Sequence, residues 1–440
     1  MPSPLGLHRK ILRLGLPILI GQLGIILTAF ADTFMVGHYS TGALASASFV
    51  NNLFNTAVFT VMGFSYGLTP LAGALYARGC HRRIGALMRT ATVVNILVAL
   101  AVTGVMFFIY LNLHRLGQPA ELLPVIRPYY LLYLAGLPAV ALFSVWSQWS
   151  YAINRTVLPT VILLSANALN IFGNWLLIYG NWGCPEMGLT GAGISTLAAR
   201  ILCPAVLIAV FFLARKFRRY RQGYAAAGIN RTAAAEINRT SWPVALQMSF
   251  ESGSFTMAAV MAGWVGTIGL ASFQVVVITG MLGFMVYYSF GTAVAVMVSN
   301  AAGTADRPLM RRIAWAGYHI ELFFAVAASA IFLLFSRQIM AVFTDDPAVY
   351  AAAVALVVPL VLYQLGDATQ INFANALRGT SRVMPMLWIA FVAYIVVGTP
   401  AMYLLGFPLG LGVTGIILSF SVSLFLAAAL FLWYFLRATR

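Results

Sequence analysis

Long apolar runs constrain this chain more than any other feature of its sequence. Of its 440 residues, 61% are hydrophobic and only 8% are charged, a composition too apolar for a soluble globular protein. Twelve runs are long enough to cross the roughly 30 Å of hydrocarbon in a bilayer, and they lie at about 11–37, 45–77, 88–112, 120–150, 158–180, 188–214, 238–264, 270–302, 313–336, 348–376, 383–405 and 411–436. The first run is much longer than a signal-peptide core, so we expect a retained helix. The sequence predicts an all-α integral membrane protein with twelve transmembrane helices.

The placement of the basic residues predicts the orientation of the chain. The formal net charge is +16, but Lys and Arg lie in short segments between apolar runs, which marks cytoplasmic loops and not a nucleic-acid surface. If both termini are cytoplasmic, the basic residues outside the inner segments are Arg115 and Arg337 in outer loops and Arg127 and Arg200 within spans. We therefore predict cytoplasmic termini and no nucleic-acid partner.

The chain contains an internal repeat of about half its length. A shift of 226 residues aligns Pro17 with Pro243, and a shift of 224 aligns Gly191 with Gly415. Each half holds six predicted crossings, an even number, so the halves are parallel repeats, and the expected working site lies between them. We therefore predict two six-helix lobes, residues 1–225 and 226–440.

Two acids lie deep inside apolar runs of the C-terminal half. Glu251 lies 12 residues after the nearest inner arginine and Asp367 lies 11 residues before its own, which places both roughly 17 Å above the inner boundary. A carboxylate in a bilayer is costly unless it faces a cavity or an ion path, although a protonated acid that joins helices is an alternative. Together with Tyr363, one turn before Asp367, they are predicted to bind a coupling cation, either Na+ or H+. Gln274 in the eighth span is a further polar candidate.

A second set of polar residues lies in the N-terminal half. Asp32 lies near the outer end of the first span, where it may serve only to tie down that helix end. Asn167, Asn170 and Asn174 recur at spacings of three and four residues, so they share one face of the fifth span. Such a face either joins helices by hydrogen bonds or forms a polar wall near Asp32.

Two other charged residues lie within spans. Arg200 lies 15 residues before Arg215, roughly 22 Å from the inner boundary and near the level of Asp32. One hypothesis is that it pairs with Asp32 and leaves proton transfer to the other lobe, and the alternative is a snorkelling side chain. Glu321, close to His319, lies about nine residues inside the ninth run, and we expect it at the inner membrane interface.

Motifs for catalysis, ATP hydrolysis and metal binding do not account for this chain. It has no HExxH and no Walker loop, and the GxSxG match at Gly63–Gly67 lies inside a membrane span and not at a strand-to-helix turn. Cys80, Cys184 and Cys203 have no paired spacing. We therefore predict no enzymatic activity, no cofactor and an ion gradient as the energy source.

Four segments resemble the multidrug and toxic compound extrusion (MATE) family. They are Ala31–Gly37, Ser249–Glu251, Asn174–Gly188, and Tyr363–Asp367 running on to Leu377–Thr380. The acid of the seventh span and the stretch from Tyr363 to Asp367 resemble the NorM-like branch in particular. The resemblance covers essentially the whole chain, and its motifs are specific because four of them are spread along a duplicated twelve-span frame.

The resemblance implies a V-shaped pair of six-helix lobes around a central cleft, alternating access, and export of organic cations in exchange for Na+ or H+. By position, Glu251 and Asp367 would bind the coupling cation and would be the Na+ ligands if sodium is coupled. Asp32, with Asn170 and Asn174, would form the proton or substrate site of the N-terminal lobe.

Alternatives to a cation-coupled multidrug antiporter remain open. Arg200 departs from the NorM-like pattern, and with Gln274 it is kept as a supporting polar candidate. An exporter or flippase of lipid-linked saccharides, a related fold, would need a more cationic cavity than Arg127 and Arg200 provide, and a membrane-embedded enzyme would need a metal or nucleophile group. We expect a monomer in the bacterial inner membrane, with small organic cations and membrane lipid as its partners.

Overall fold

The computed structural model describes residues 4–116, 119, 121–344 and 346–440. All regular structure within these ranges is helical. Residue 120, where the fourth predicted run begins, lies outside the described residues.

Nine α-helices make up the first part of the chain. They are α1 Pro4–Tyr39, α2 Thr41–Tyr66, α3 Leu68–Ala77, α4 His81–Leu111, α5 Leu123–Ala152, α6 Val157–Tyr179, α7 Gly188–Leu213, α8 Arg218–Ala226 and α9 Arg231–Val265. Eight more follow: α10 Thr267–Gly303, α11 Arg307–Leu334, α12 Ser336–Phe343, α13 Pro347–Ala355, α14 Val357–Gly379, α15 Met384–Ala390, α16 Thr399–Gly406 and α17 Gly412–Ala438.

The described residues form two compact units. The first contains Ile20–Ala245, and the second contains the residues up to Leu19 together with Leu246–Arg440. The divisions therefore fall inside α1 and α9, two residues after the internal prolines Pro17 and Pro243. The functional lobes expected from the repeat, 1–225 and 226–440, stay a prediction, and the compact units differ from them by the starts of these two helices.

Each of the twelve apolar runs corresponds to helix in the structure. Ten helical segments of the described chain are long and apolar enough to cross a membrane, and the bent pair α13–α14 makes an eleventh. The remaining run lies in α9, a helix of 35 residues and thus about 52 Å long at 1.5 Å per residue. Its hydropathy is lowered by Gln247, Glu251 and neighbouring serines, so the run that carries a predicted site is also the least apolar.

Two of the runs are not regular α-helices. The tenth is bent by 45° between α13 and α14, because Pro359 has no N–H to donate to the carbonyl of Ala355 four residues earlier. The eleventh contains π-helical turns at Phe391–Gly398 that join α15 to α16, and Pro400 follows within two residues. Apolar composition alone predicted both as continuous spans.

The repeat also appears as one kind of close helix contact in both units. A Cβ atom on Gly191 of α7 would lie 2.5 Å from the carbonyl oxygen of Leu177 on α6, and one on Gly415 of α17 would lie 2.4 Å from that of Leu405 on α16. Contacts this short require glycine. Gly191 and Gly415 are equivalent in the sequence repeat, so equivalent glycines allow equivalent helices to touch.

Candidate functional site

The predicted cation-binding residues come together in the second unit. Glu251 of α9 and Asp367 of α14 lie within electrostatic reach of each other, and both act on Tyr363. Asp367 is only 3% exposed and Tyr363 only 6%, whereas Glu251 is partly exposed. Tyr394, from the π-helical turns, is buried and within reach of both acids. Two carboxylates and two phenols from three helices therefore meet in one polar region of the unit.

Close approach of α10 and α14 holds this region together. The side-chain amide of Gln364 donates a 2.9 Å hydrogen bond to the carbonyl of Gly280. A Cβ atom on Gly280 would lie 2.5 Å from the Tyr363 hydroxyl, and one on Gly283 would lie 2.4 Å from Oε1 of Gln364. The two glycines thus let α14 present its polar side chains against the backbone of α10, which sets the position of Tyr363.

Gln247 was not among the residues predicted from the sequence. It lies one helical turn before Glu251 and donates a 2.8 Å hydrogen bond from its Nε2 atom to Oε2 of that acid. The spacing of four residues on one helix is the signal that points to such a pair. The hydrogen bond fixes the direction of the Glu251 carboxylate and leaves its other oxygen available to a cation.

Glu321 lies in an environment that the sequence did not predict. The expectation of an inner-interface position is wrong, because Glu321 of α11 is 0% exposed and lies within electrostatic reach of Asp367. Tyr287 of α10, also 0% exposed, is within reach of both acids. Depth along the helix gave no warning, since burial depends on which face of α11 the acid occupies.

Gln274 lies apart from these residues along α10. Its side chain is exposed, and it precedes Gly280 by six residues, about 9 Å of helix. Its supporting role stays a prediction.

A separate polar group forms around Asp32 in the first unit. Asn174 of α6 donates a hydrogen bond from Nδ2 to Oδ1 of Asp32. With its amide oriented so that both ends find partners, Asn170 also donates to Asp32, at 3.1 Å, and accepts from the backbone N–H of Thr196 at 3.1 Å. Asn167, the third amide of the stripe, lies near Gly24 of α1. The spacing of the three asparagines therefore correctly indicated the helix face that contacts α1.

Arg200 of α7 borders this group without a recorded ion pair to its acid. Its guanidinium lies 4.2 Å from the centroid of the Tyr133 ring and within electrostatic reach of Asp32. The Tyr129 hydroxyl donates to that of Tyr133 at 3.2 Å. Gly136 provides the space, since a Cβ atom there would lie 3.0 Å from Cδ of Arg200. The arginine is thus held over an aromatic ring as a fixed positive charge facing the acid.

Ligand groups for a tightly bound transition metal are absent from the described residues, where no three His, Cys, Asp or Glu side chains converge. The donors that do converge are carboxylate, phenol and amide oxygens. Such hard oxygen donors fit an alkali cation, and the carboxylates alone fit a proton.

Comparison with known proteins places the chain in a family. The MatE family model matches residues 17–176 and again residues 243–404. The chain belongs to the MatE family. The two matches begin 226 residues apart (243 − 17), the shift that aligns the halves of the sequence, so the internal repeat is confirmed.

Relatives and solved structures agree with this assignment. The probable multidrug resistance protein NorM of Xanthomonas axonopodis pv. citri is 28% identical over 88% of this chain and 84% of the relative. The multidrug resistance protein PmpM of Pseudomonas aeruginosa is 28% identical over 90% of this chain and 84% of the relative. These are transporters and not enzymes, and the NorM-like resemblance is confirmed.

The fold of the MatE-family chain matches solved transporters. The crystal structure of a eukaryotic MATE transporter superimposes with a TM-score of 0.89 at 19% identity, over 99% of this chain and 98% of the other. The bent form of the Vibrio cholerae MATE transporter VcmN gives 0.86 at 16% identity, over 100% and 98%. At these identities the likeness shows the fold alone, and the predicted all-helical, multi-pass membrane class is confirmed.

Proposed function

We propose that this MatE-family protein is a multidrug efflux antiporter that exports organic cations in exchange for Na+ or H+. The observation that carries the proposal is the convergence of Glu251 and Asp367, with Tyr363, inside membrane-spanning helices. Ionisable groups at such depth are costly and mark ion or substrate paths. The relatives named as multidrug resistance proteins support the substrate class.

The two acids supply a mechanism for exchange. Ionised carboxylates in a low-dielectric site attract an organic cation strongly, because the attraction between charges increases as the dielectric falls. A Na+ or H+ that arrives from outside neutralises the same carboxylates and weakens that attraction. Because such coupling is reciprocal, the drug and the coupling ion each lower the affinity for the other. Alternation between two access states then converts ion entry into drug export.

The group around Asp32 is proposed as the proton or substrate site of the N-terminal half. Asn170 and Asn174 hold the Asp32 carboxylate by hydrogen bonds, so its direction is fixed before any ligand arrives. Arg200 faces it as a positive charge, which opposes a second cation there. We propose that the coupling ion is therefore handled mainly by Glu251 and Asp367.

We place the protein in the bacterial inner membrane with both termini in the cytoplasm. The arginine-rich segments support this orientation, since α8 and the residues before it carry Arg215, Lys216, Arg218, Arg219 and Arg221 between two spans. We expect a monomer without a cofactor, in contact with membrane lipid.

Transport by purified protein in liposomes tests the function. We expect ethidium to be expelled when either a sodium gradient or a pH gradient is imposed, and the effective gradient identifies the coupling ion. Glu251→Gln and Asp367→Asn, which remove charge with little change of shape, should each reduce the rate by about tenfold or more. Glu236→Gln is the matched control, because Glu236 is an exposed acid at the start of α9.

Two results would contradict the proposal. One is a wild-type protein that expels no organic cation under either gradient. The other is full efflux by both charge-removing variants, which would make the buried acids structural.

A further inference from the structure

Glu321 is a buried acid for which the proposed exchange at Glu251 and Asp367 has no role. It is 0% exposed, and neither of its carboxylate oxygens has a hydrogen-bond partner within the described part of the chain. A buried acid kept only for packing is expected to donate its proton to a nearby carbonyl, because an unpaired polar group in hydrocarbon is costly. Glu321 has no such acceptor, so its environment suits an ion that arrives and leaves.

Tyr287 lies between Glu321 and Asp367. It packs against Ala325, one turn after Glu321, and against Ala368 and Ile371, which follow Asp367 by one residue and by one turn. Its hydroxyl is buried and also lacks a hydrogen-bond partner among the described residues. A phenol can donate to one carboxylate and accept from a protonated one, so this hydroxyl can link the two acids.

The two acids also lie at similar depth. Glu321 follows Arg312 by nine residues and Asp367 precedes Arg378 by 11 residues, which gives about 14 Å and about 17 Å from the basic ends of α11 and α14. Glu321 is thus slightly closer to the basic end. The ionisable groups that face it are Tyr287 from α10 and Asp367 from α14.

The histidine near Glu321 takes no part in this arrangement. His319, two residues before Glu321 on α11, stacks on His8 of α1 with ring centroids 5.9 Å apart. Two residues correspond to about 200° around a helix, so the two side chains leave α11 in different directions. His8 and His319 therefore face away from the carboxylate.

We propose that Glu321 and Tyr287 form a second cation site, which receives the coupling ion from Asp367 before the ion leaves toward the cytoplasm. The inference rests on the proposed antiport function and extends it. Because no three acids converge on one point, the site is separate from that of Glu251 and Asp367. If the ion is a proton, the step is a transfer from protonated Asp367 to ionised Glu321, which leaves Asp367 ionised and ready for drug. If the ion is Na+, the same carboxylate receives it.

The test uses the full chain in liposomes for transport and in nanodiscs for ethidium binding. We expect Glu321→Gln to retain ethidium binding that NaCl or acid displaces, because the first site is intact, while gradient-driven efflux falls about tenfold or more. Glu321→Asp should recover part of the rate. Tyr287→Phe, which removes only the linking hydroxyl, should raise the ion concentration needed for half-maximal efflux. Glu236→Gln serves as the control for loss of an exposed acid.

The outcomes separate this inference from the function beneath it. If the wild type shows no cation-driven efflux, the proposed function is wrong. If the wild type is active and Glu321→Gln matches it in rate and ion dependence, the second site is wrong and the function stands. Loss of ethidium binding together with efflux in a folded Glu321→Gln protein would also overturn the site. If that variant does not fold, Glu321→Asp and Tyr287→Phe decide by the same criterion: a changed ion dependence supports the site, and a wild-type dependence refutes it.

Discussion

Replacing Gly280 by alanine would place a methyl group against the hydroxyl of Tyr363. The new Cβ atom would lie 2.5 Å from that hydroxyl, 3.1 Å from Cε1 of the same ring and 3.2 Å from Cδ1 of Leu360. The hydroxyl would have to move by 0.9 Å to reach an ordinary contact distance of 3.4 Å. Because Tyr363 is buried, the ring cannot swing into solvent, so α10 and α14 must separate.

The separation has two energetic consequences. Overpacking of a buried helix contact costs about 1–3 kcal/mol, and the 2.9 Å hydrogen bond from Gln364 to the Gly280 carbonyl contributes about 1 kcal/mol more if it is lost. A tyrosine oxygen displaced by nearly one ångström is also a poorer cation ligand. A loss of about 1.4 kcal/mol in ion binding is a tenfold loss of affinity, so we expect at least about a tenfold rise in the ion concentration for half-maximal efflux.

Thermal unfolding in detergent and ethidium efflux at graded Na+ or H+ concentrations measure the two effects. Gly104→Ala is the matched control, because a Cβ atom on that helical glycine meets nothing within 4 Å. We expect the control to unfold and transport like the wild type. A Gly280→Ala protein with wild-type stability and ion dependence would show that the close approach of α10 and α14 does not position Tyr363.

Three further predictions concern the first unit. Asn174→Ala removes a donor to a carboxylate and should destabilise the protein by about 1.5–3 kcal/mol, and an unchanged unfolding midpoint in detergent would contradict the hydrogen bond to Asp32. Arg200→Met keeps the packing over Tyr133 but removes the positive charge, so we expect an altered pH dependence of efflux, and an unchanged profile would remove the idea that Arg200 influences the acid. Gly85→Ala would place Cβ 1.9 Å from a backbone carbonyl of α8, so little folded protein should accumulate; expression and melting like those of the open-space glycine control would argue against this helix crossing.

Much of the fold follows from the sequence because hydropathy and charge act locally. A run of apolar residues must become helix in a bilayer, since its backbone has no other partner for hydrogen bonds. The twelve runs, the repeat marked by Pro17 and Pro243, and the depth of Glu251 and Asp367 were therefore predictable. The bend before Pro359 was predictable in principle, but composition averaged over a window conceals a single proline.

Part of the candidate site was also predictable, for a related reason. Asn170 and Asn174 recur at helical spacing, which fixes their common face, and that face does contact Asp32. Gln247 lies one turn from Glu251, and the pair could have been found by the same rule. Spacing along one helix is information that a sequence contains.

The tertiary structure alone decided which helices face each other. Glu321 was assigned to the membrane interface because its distance along α11 was known and its direction around the helix axis was not. Rotation and crossing depend on contacts between residues far apart in the chain, such as Gly280 with Tyr363 and Tyr287 with Ala368. The sequence by itself therefore determined how many helices cross the membrane and how deep each acid lies, whereas helix packing decided which acids meet.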